Sequence, residues 1–489
     1  MKQVLAGPEV DSFYHLHNIP MEHRLCRGLS CFAAQARNAE RWSAAIAQEP
    51  PVFCLGKCYM APASADDEAE PRVEVRSRVP IVLDGVAGND QRPLDAYRAA
   101  GGYGGLEQAL AHPPEWTLAQ IETAQLRGRG GAGFPAGIKW RAVAKERSEI
   151  KHVVANADEG DHGSYIDRFV MERTPHRVLE ALGIAAHAVG SQHATIYLRK
   201  EYPKAHTALV QAMDEAREAG WIGRPIPGYS FKFDIDLVIG EGSYVCGEET
   251  SLIRSIEHRR PEVMARPPFP TQKGLFGYPT LVNNVETLAS VPWIAKHGGD
   301  AYAAMGTRTS RGTKAVSLNS LFARPGLYEV EFGMPLRWVF ETLGGGFREG
   351  EMKAAIMGGP LAGVLKPEEF DTPLDFEAMR AVGASVGHGG VVAFDQSTRM
   401  VDLLAHVFAF GTNESCGKCT PCRLGSRRAL DLLRKAQTQP LEKAETAELF
   451  ALMDALRQTS LCGHGSGLGV FAQSVFAKFG EELEPWFPS

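Results

Sequence analysis

The sequence predicts an α/β multidomain chain with a helical C-terminal end, and three observations carry that reading. The chain has 489 residues, and single hydrophobic cores rarely grow past roughly 250–300 residues. Short apolar runs alternate with helical periodicity through its middle. Its nine cysteines fall into two groups of four, one near each end, with Cys246 between them.

Residues 1–75 hold the first cysteine group and end in the acidic stretch Asp66-Asp67-Glu68-Ala69-Glu70-Pro71, which reads as a linker or exposed loop. Residues 76–300 read as α/β. Segments 153–156, 195–198 and 235–239 have the apolar, β-branched character of buried strands, and 203–219 and 249–257 have helical spacing. Residues 301–390 turn to short strands and glycine turns. Strands are expected at 313–318 and 326–331, then a helix at 336–343 before Gly344-Gly345-Gly346, which suggests a small β-grasp (ubiquitin-like) module. Residues 391–489 are helical, with segments at 398–410, 427–435, 443–458 and 470–479, and read as a small bundle carrying the second cysteine group.

Bulk composition excludes some functions. Net charge is −6, from 52 basic and 58 acidic side chains, whereas a general nucleic-acid binder shows a basic excess. No stretch approaches the ~18–20 apolar residues of a membrane helix, and the N-terminus lacks the apolar core of a secretion signal. The expectation is a cytoplasmic chain whose membrane association, if any, comes through a partner. In that reducing compartment clustered cysteines point to metal rather than disulfides.

Cys416-Gly-Lys-Cys419-Thr-Pro-Cys422 is a C-x2-C-x2-C run, and Cys462 follows 40 residues after Cys422. A 4Fe-4S cube needs four converging thiolates. Three close cysteines can wrap one side of it and a distant fourth can close the site. The alternative is a structural zinc site, although zinc ribbons usually pair two C-x2-C knuckles. Cys246 has no cysteine neighbour in sequence and reads as a packed small side chain.

Residues 128–140 contain Gly128, Gly130, Gly131 and Gly133, then Phe134, Pro135 and Lys139. The spacing formally satisfies G-x-G-x-x-G, but a dinucleotide loop should follow a strand. Here the preceding segment looks helical and Phe134-Pro135 interrupts the expected continuation, so an ordinary Rossmann loop is rejected. The loop still suits an anion: backbone N–H groups can approach it, Lys139 can add charge, and Phe134 can stack on a ring. A plain glycine turn is the alternative.

Asn156-Ala-Asp158-Glu159-Gly160-Asp161 closes one expected strand, where open α/β sheets bind ligands. Tyr244 to Glu249 repeats the design after 235–239, and Val282-Asn283-Asn284 with Thr287 adds adjacent amides. Such groups can hydrogen-bond ribityl and ribose hydroxyls or a flavin ring. Singly each reads as a solvated loop; together with the glycine loop they favour a flavin or dinucleotide site.

These ordered segments, with 267–287 and Cys416/Cys419/Cys422/Cys462, resemble the NADH-binding flavoprotein subunit of respiratory complex I. The same module serves as the diaphorase subunit of NAD-reducing hydrogenases and NAD-dependent formate dehydrogenases. The resemblance covers roughly residues 80–489. It implies a Rossmann-like domain holding FMN through Gly128, Gly130, Gly131, Lys139, Asn156, Asp158, Glu159, Gly160, Tyr244, Gly247, Glu248, Glu249, Val282, Asn283, Asn284 and Thr287. It implies NAD(H) over the flavin, with Phe134 and Phe269 near the adenine, Glu249 near the nicotinamide end, and Asp161 alongside. It implies a 4Fe-4S cluster on the late cysteines and no acid–base catalytic residue, because hydride passes directly between the two rings. Two departures bear on the NAD pose: Ala142 replaces a frequent aromatic, and Asp161 replaces a frequent glutamate.

The early group, Cys26-x4-Cys31 and Cys54-x3-Cys58, is similar to the thioredoxin-like 2Fe-2S protein of complex I, fused here at the N-terminus. The 22 residues between the pairs are fewer than usual, which implies a trimmed fold; its cysteines either hold a 2Fe-2S cluster or are vestigial. Such a fusion suits a soluble diaphorase. The short N-terminal part and total length favour NAD-dependent formate dehydrogenase, partnered by a molybdenum or tungsten catalytic subunit and a small 2Fe-2S subunit. A hydrogenase diaphorase, a complex I flavoprotein and a flavin-free scaffold are the alternatives.

Overall fold

The computed structural model describes residues 14–88 and 91–488. Strand β1 (Arg72–Val75) is followed by β2 (His152–Ala157), β3 (His193–Leu198), β4 (Asp234–Ile239) and β5 (Thr280–Asn284), then β6 (Thr313–Leu318), β7 (Gly326–Glu331), β8 (Met352–Met357), β9 (Val364–Leu365) and β10 (Gly390–Asp395). Two sheets result.

The first is parallel, with order β4-β3-β2-β5. Its strands are Val/Ile/Leu-rich because helices cover them. The crossover helices Pro175–Val189 and Pro203–Ala219 each start on proline and end on a left-handed glycine, Gly190 and Gly220. Proline presets the first turn, and glycine takes the positive φ that closes the last one. The register pairs Asn156 with both Tyr197 and Asn284, and Leu198 with Ile239. Parallel pairing therefore delivers the C-terminal ends of β2, β4 and β5 to one edge.

The second sheet has the order β1-β7-β6-β10-β8-β9 and is mixed. The predicted β-grasp-like segment forms its centre, but the boundaries at 75 and 390 both cut through the sheet. β1 pairs parallel with β7, and β10 pairs with β6 and β8. The C-terminal helices are Met400–Asn413, Ser426–Ala436, Lys443–Thr459 and Gly463–Leu483. They pack into one apolar cluster with Leu29, Phe32 and Trp42 of the N-terminal segment.

The thioredoxin-like arrangement expected for 1–75 differs from what the described residues form. Residues 14–75 contain the short helices Leu29–Ala33 and Ala39–Ala47, isolated pairings of Leu25 with Ser64 and Cys26 with Val52, and β1. With β1 committed to the second sheet, this segment has no sheet of its own among the described residues. It packs instead as an arm on the main body: Arg199 Nη2 donates to the Cys54 carbonyl at 2.7 Å and Arg168 Nη1 to that of Gly56 at 3.0 Å. No helix among the described residues is long and apolar enough to cross a membrane.

Candidate flavin and iron–sulfur site

A cleft of about 390 Å³ lies at the C-terminal edge of the parallel sheet. Its walls include Gly130 and Gly131, Asn156 and Asp158, Gly160 and Asp161, Tyr244, Gly247 and Glu248, and Asn284. From the second sheet come Gly358, Ser385, Gly387 and His388, and from the helical end Cys462 and His464. Six stretches far apart in sequence thus meet one of the late cysteines in a single cavity.

The glycine loop precedes the helix Ala136–Lys145, with Pro135 as the residue before its first turn. Pro135 therefore opens a helix rather than interrupting the loop's continuation, while the segment ahead, Pro114–Thr123, is helical as expected. Gly128 N–H donates to the Phe134 carbonyl at 2.9 Å, closing the loop on itself. Thr287 Oγ1 accepts the Arg129 N–H at 2.8 Å and pins it to the sheet edge. Gly130 lies against Asn284: a Cβ there would be 2.8 Å from Asn284 Cβ.

Asn156 donates to the Gly247 carbonyl at 2.8 Å, tying β2 to the loop after β4. Burial pushes the Asp158 carboxyl well up from the ordinary range, and its Oδ2 is buried without a hydrogen-bond partner among the described residues. An orphaned acceptor on a cleft wall suits a ligand that donates, such as a flavin ring N–H or a ribityl hydroxyl. Tyr244 donates its hydroxyl to Asp161 Oδ1 at 2.7 Å and its backbone N–H to Glu414 Oε2 at 2.9 Å. Burial raises the Asp161 carboxyl as well. Gly160 leaves room for the Tyr244 ring, which a Cβ would meet at 2.6 Å.

Several expected contacts are otherwise engaged. Glu159 does not line the cleft. Its carboxylate accepts the N–H groups of Ile166, Asp167 and Arg168 at 2.7, 3.1 and 3.0 Å and so caps the helix Ile166–Arg173. Glu248 caps the helix Glu249–Ile256 through Thr250 and Ser251 N–H while facing the cleft. Asn283 Oδ1 accepts from Trp140 Nε1 at 2.9 Å. Lys139 Nζ donates to Glu249 at 2.9 Å and to the Val282 carbonyl at 3.2 Å, off the cleft wall. Glu249 and Glu248 each also pair with Arg266 at 2.9 Å. Phe134 and Phe269 are half exposed, outside the cleft lining. Arg266 and His388 are additions that the motifs do not mark. Arg266 stands directly before the Pro267–Pro270 turn, which is a usable signal; His388 lies in a glycine turn with none.

Cys416 and Cys422 are buried, Cys419 and Cys462 partly so. Cys462 precedes the helix Gly463–Leu483, and the N–H groups of His464 and Gly465 hydrogen-bond its sulfur. Among the described residues no three of the four sulfurs lie within 4.8 Å of one another. The early thiols are all buried and free, with Cys54 Sγ 3.6 Å from Cys58 Sγ. The neighbouring Cys26 is the main cause pushing the Cys54 thiol up to about 12. Cys246 is buried against Tyr14, Tyr197 and Leu252, as a packing residue should be.

Residues 121–293 match the Nuo51 FMN-binding domain, and 402–485 match the NADH-ubiquinone oxidoreductase-F iron-sulfur binding region. The HndC subunit of the NADP-reducing hydrogenase of Solidesulfovibrio fructosivorans is 41% identical over 396 residues, 81% of each chain. An F-type subunit of the NADH-quinone oxidoreductase of Rhizobium meliloti is 38% identical over 406 residues, 83% of this chain and 96% of the relative. The F-type subunit of the Escherichia coli NADH-quinone oxidoreductase is 39% identical over 404 residues, 81% and 90%. A solved NAD+-reducing NiFe-hydrogenase in the H2-reduced state superposes with TM-score 0.82 at 28% identity, over 98% of this chain and 87% of that one.

Proposed function

The chain belongs to the family of the F-type, flavin-binding subunits of NADH-quinone oxidoreductase, and from that premise we propose that it is the diaphorase subunit of a soluble NAD-dependent formate dehydrogenase. It is an NAD(H)-dependent FMN flavoprotein with a 4Fe-4S site. One observation carries the reading: the glycine loop, the orphaned Asp158 oxygen and Cys462 share one cleft.

Bound FMN supplies hydride exchange with NAD(H) and single-electron exchange with the iron–sulfur site. The chain's residues bind and orient. The loop at Gly130 and Gly131 lets backbone approach the nucleotide, and Asp158 accepts from it. Tyr244, fixed by Asp161 and Glu414, forms a rigid wall beside Cys462. The ion-pair run Lys139–Glu249–Arg266–Glu248, with the exposed rings of Phe134 and Phe269, forms the face offered to NAD(H).

The early cysteines are proposed to hold a 2Fe-2S cluster, supported by the burial of four free thiols in one contiguous group. The soluble diaphorase reading is supported by the fusion of the early cysteine group to the flavoprotein module, and the formate dehydrogenase parent extends it by analogy. A hydrogenase parent draws support from the extent of the NiFe-hydrogenase superposition. Purifying the intact complex and analysing its metals tests this: molybdenum or tungsten in the largest partner supports formate dehydrogenase, and nickel refutes it. NADH-dependent reduction of an artificial acceptor tests the diaphorase step itself, and its absence in flavin-loaded protein would favour a scaffold.

A further inference from the structure

We propose that His388, carried on the turn before β10, is the cationic anchor for the 5′-phosphate of the flavin nucleotide. This rests on the flavoprotein reading above and adds to it the group that would select FMN over riboflavin.

Charge balance sets the problem. The cleft wall already carries Glu248, and a flavin mononucleotide brings a phosphate with a charge near −2 at neutral pH. Some cation must face it. Lys139, the obvious candidate in sequence, is paired with Glu249 and lies off the wall. Arg129 is buried and spends its guanidinium on the Arg127 and Arg311 carbonyls and the Tyr302 hydroxyl. Lys314 is fully buried against Glu286. His464 lines the cleft, but burial lowers its pKa and its Nε2 bonds the Gly411 carbonyl. Of the two basic groups that line the cleft, His388 and His464, that leaves His388.

Its geometry fits. Gly131 pairs with Gly387 across the cleft, so the glycine loop and the His388 turn meet backbone to backbone. Gly387 in turn lies on Gly358, where a Cβ would fall 2.8 Å from Gly387 Cα. His388 Nε2 is 2.8 Å from Asp167 Oδ2 and 3.1 Å from Asn284 Nδ2. His388 itself lines the cleft, with its Nε2 edge held on the side away from solvent by buried Asp167. Asp167 behind the ring, with Glu159 at 3.7 Å, favours the imidazolium against its burial and against nearby Lys314. The imidazole pKa is raised to about 9. Asp161 is the remaining acid that faces it. A charge-assisted N–H donor beside backbone amides of a glycine loop is a phosphate site.

The test is flavin binding by the full chain after flavin removal, followed by fluorescence quenching with FMN and with riboflavin. His388→Gln should lower the preference for FMN over riboflavin by about tenfold or more, the scale of a lost charge-assisted hydrogen bond. If the variant weakens both flavins equally, or neither, the assignment is wrong. The unmodified chain gives a second measure. Its preference for FMN over riboflavin should fall several-fold between pH 7.5 and pH 10 as the imidazolium loses its proton, and a flat preference overturns the proposal. Wild-type protein that binds neither flavin overturns the flavoprotein reading itself.

Discussion

Replacing Gly130 with alanine, with Gly128→Ala made separately as an internal control, separates two glycines that look equivalent in sequence. At Gly128 a new Cβ meets only the Phe134 backbone, at 3.6 Å, which is ordinary contact. At Gly130 it falls 2.8 Å from Asn284 Cβ and 3.0 Å from its Cγ. Asn284 cannot simply rotate away. Its Oδ1 accepts Thr287 N–H at 3.0 Å, and its Nδ2 donates to Asp167 Oδ2 at 2.6 Å. Relief therefore displaces the glycine loop or breaks a cap and a charge-assisted hydrogen bond. Overpacking alone costs about 1–3 kcal/mol and a lost asparagine cap ~1 kcal/mol. These alternatives share one displacement and do not add. About 2 kcal/mol falling on the bound state is roughly a 30-fold rise in the FMN dissociation constant. Fluorescence titration of the apo-protein reads it directly. Gly128→Ala should stay within about threefold of the parent, or ~0.7 kcal/mol. Equal behaviour of the two variants would show that the contact with Asn284 does not govern the loop.

Four further outcomes follow from particular contacts. Cys419→Ala should abolish the 4Fe-4S resonance of the dithionite-reduced protein and lower its iron and sulfide content, since a cube needs all four thiolates. Lys139→Ala leaves Glu249 with Arg266 as its cation, so the KM for NADH should change several-fold while the flavin-to-protein ratio holds; loss of FMN instead would put the phosphate at Lys139. Glu159→Gln removes a carboxylate that holds three helix N–H groups and should lower the unfolding free energy by about 2–3 kcal/mol, read as a lower denaturation midpoint. Lys314→Met strands the buried Glu286 and should cost about 3–5 kcal/mol; adding Glu286→Gln should recover part of it, and no recovery would argue against pairing as the cause.

Strand and helix existence is legible where local signals agree. β6 and β7 fall where short strand signals between glycine turns put them, and the helix Pro203–Ala219 is bracketed by its proline and glycine. β5 reads in sequence only as an amide-rich segment, because Thr280–Asn284 is short and ends in two polar residues. β8, β10 and the helix Pro175–Val189 do not stand out, being ambiguous without tertiary burial. The N-terminal arm is where cysteine spacing and described structure part, because β1 pairs with β7 in the second sheet.

By itself the sequence determined the chemistry: thiolates in a triple with a distant fourth, a glycine loop, and amides and carboxylates at expected strand ends. These are properties of residue type and spacing. Which of those side chains face the cleft was decided only by the fold. Parallel register sets Asn156 beside Asn284, while a helix end claims Glu159 and an ion pair claims Lys139. His388 reaches the same cavity from a different sheet. Spacing along a chain records none of this, because a polar group's partner is chosen by whatever the packing of distant elements brings within hydrogen-bond reach.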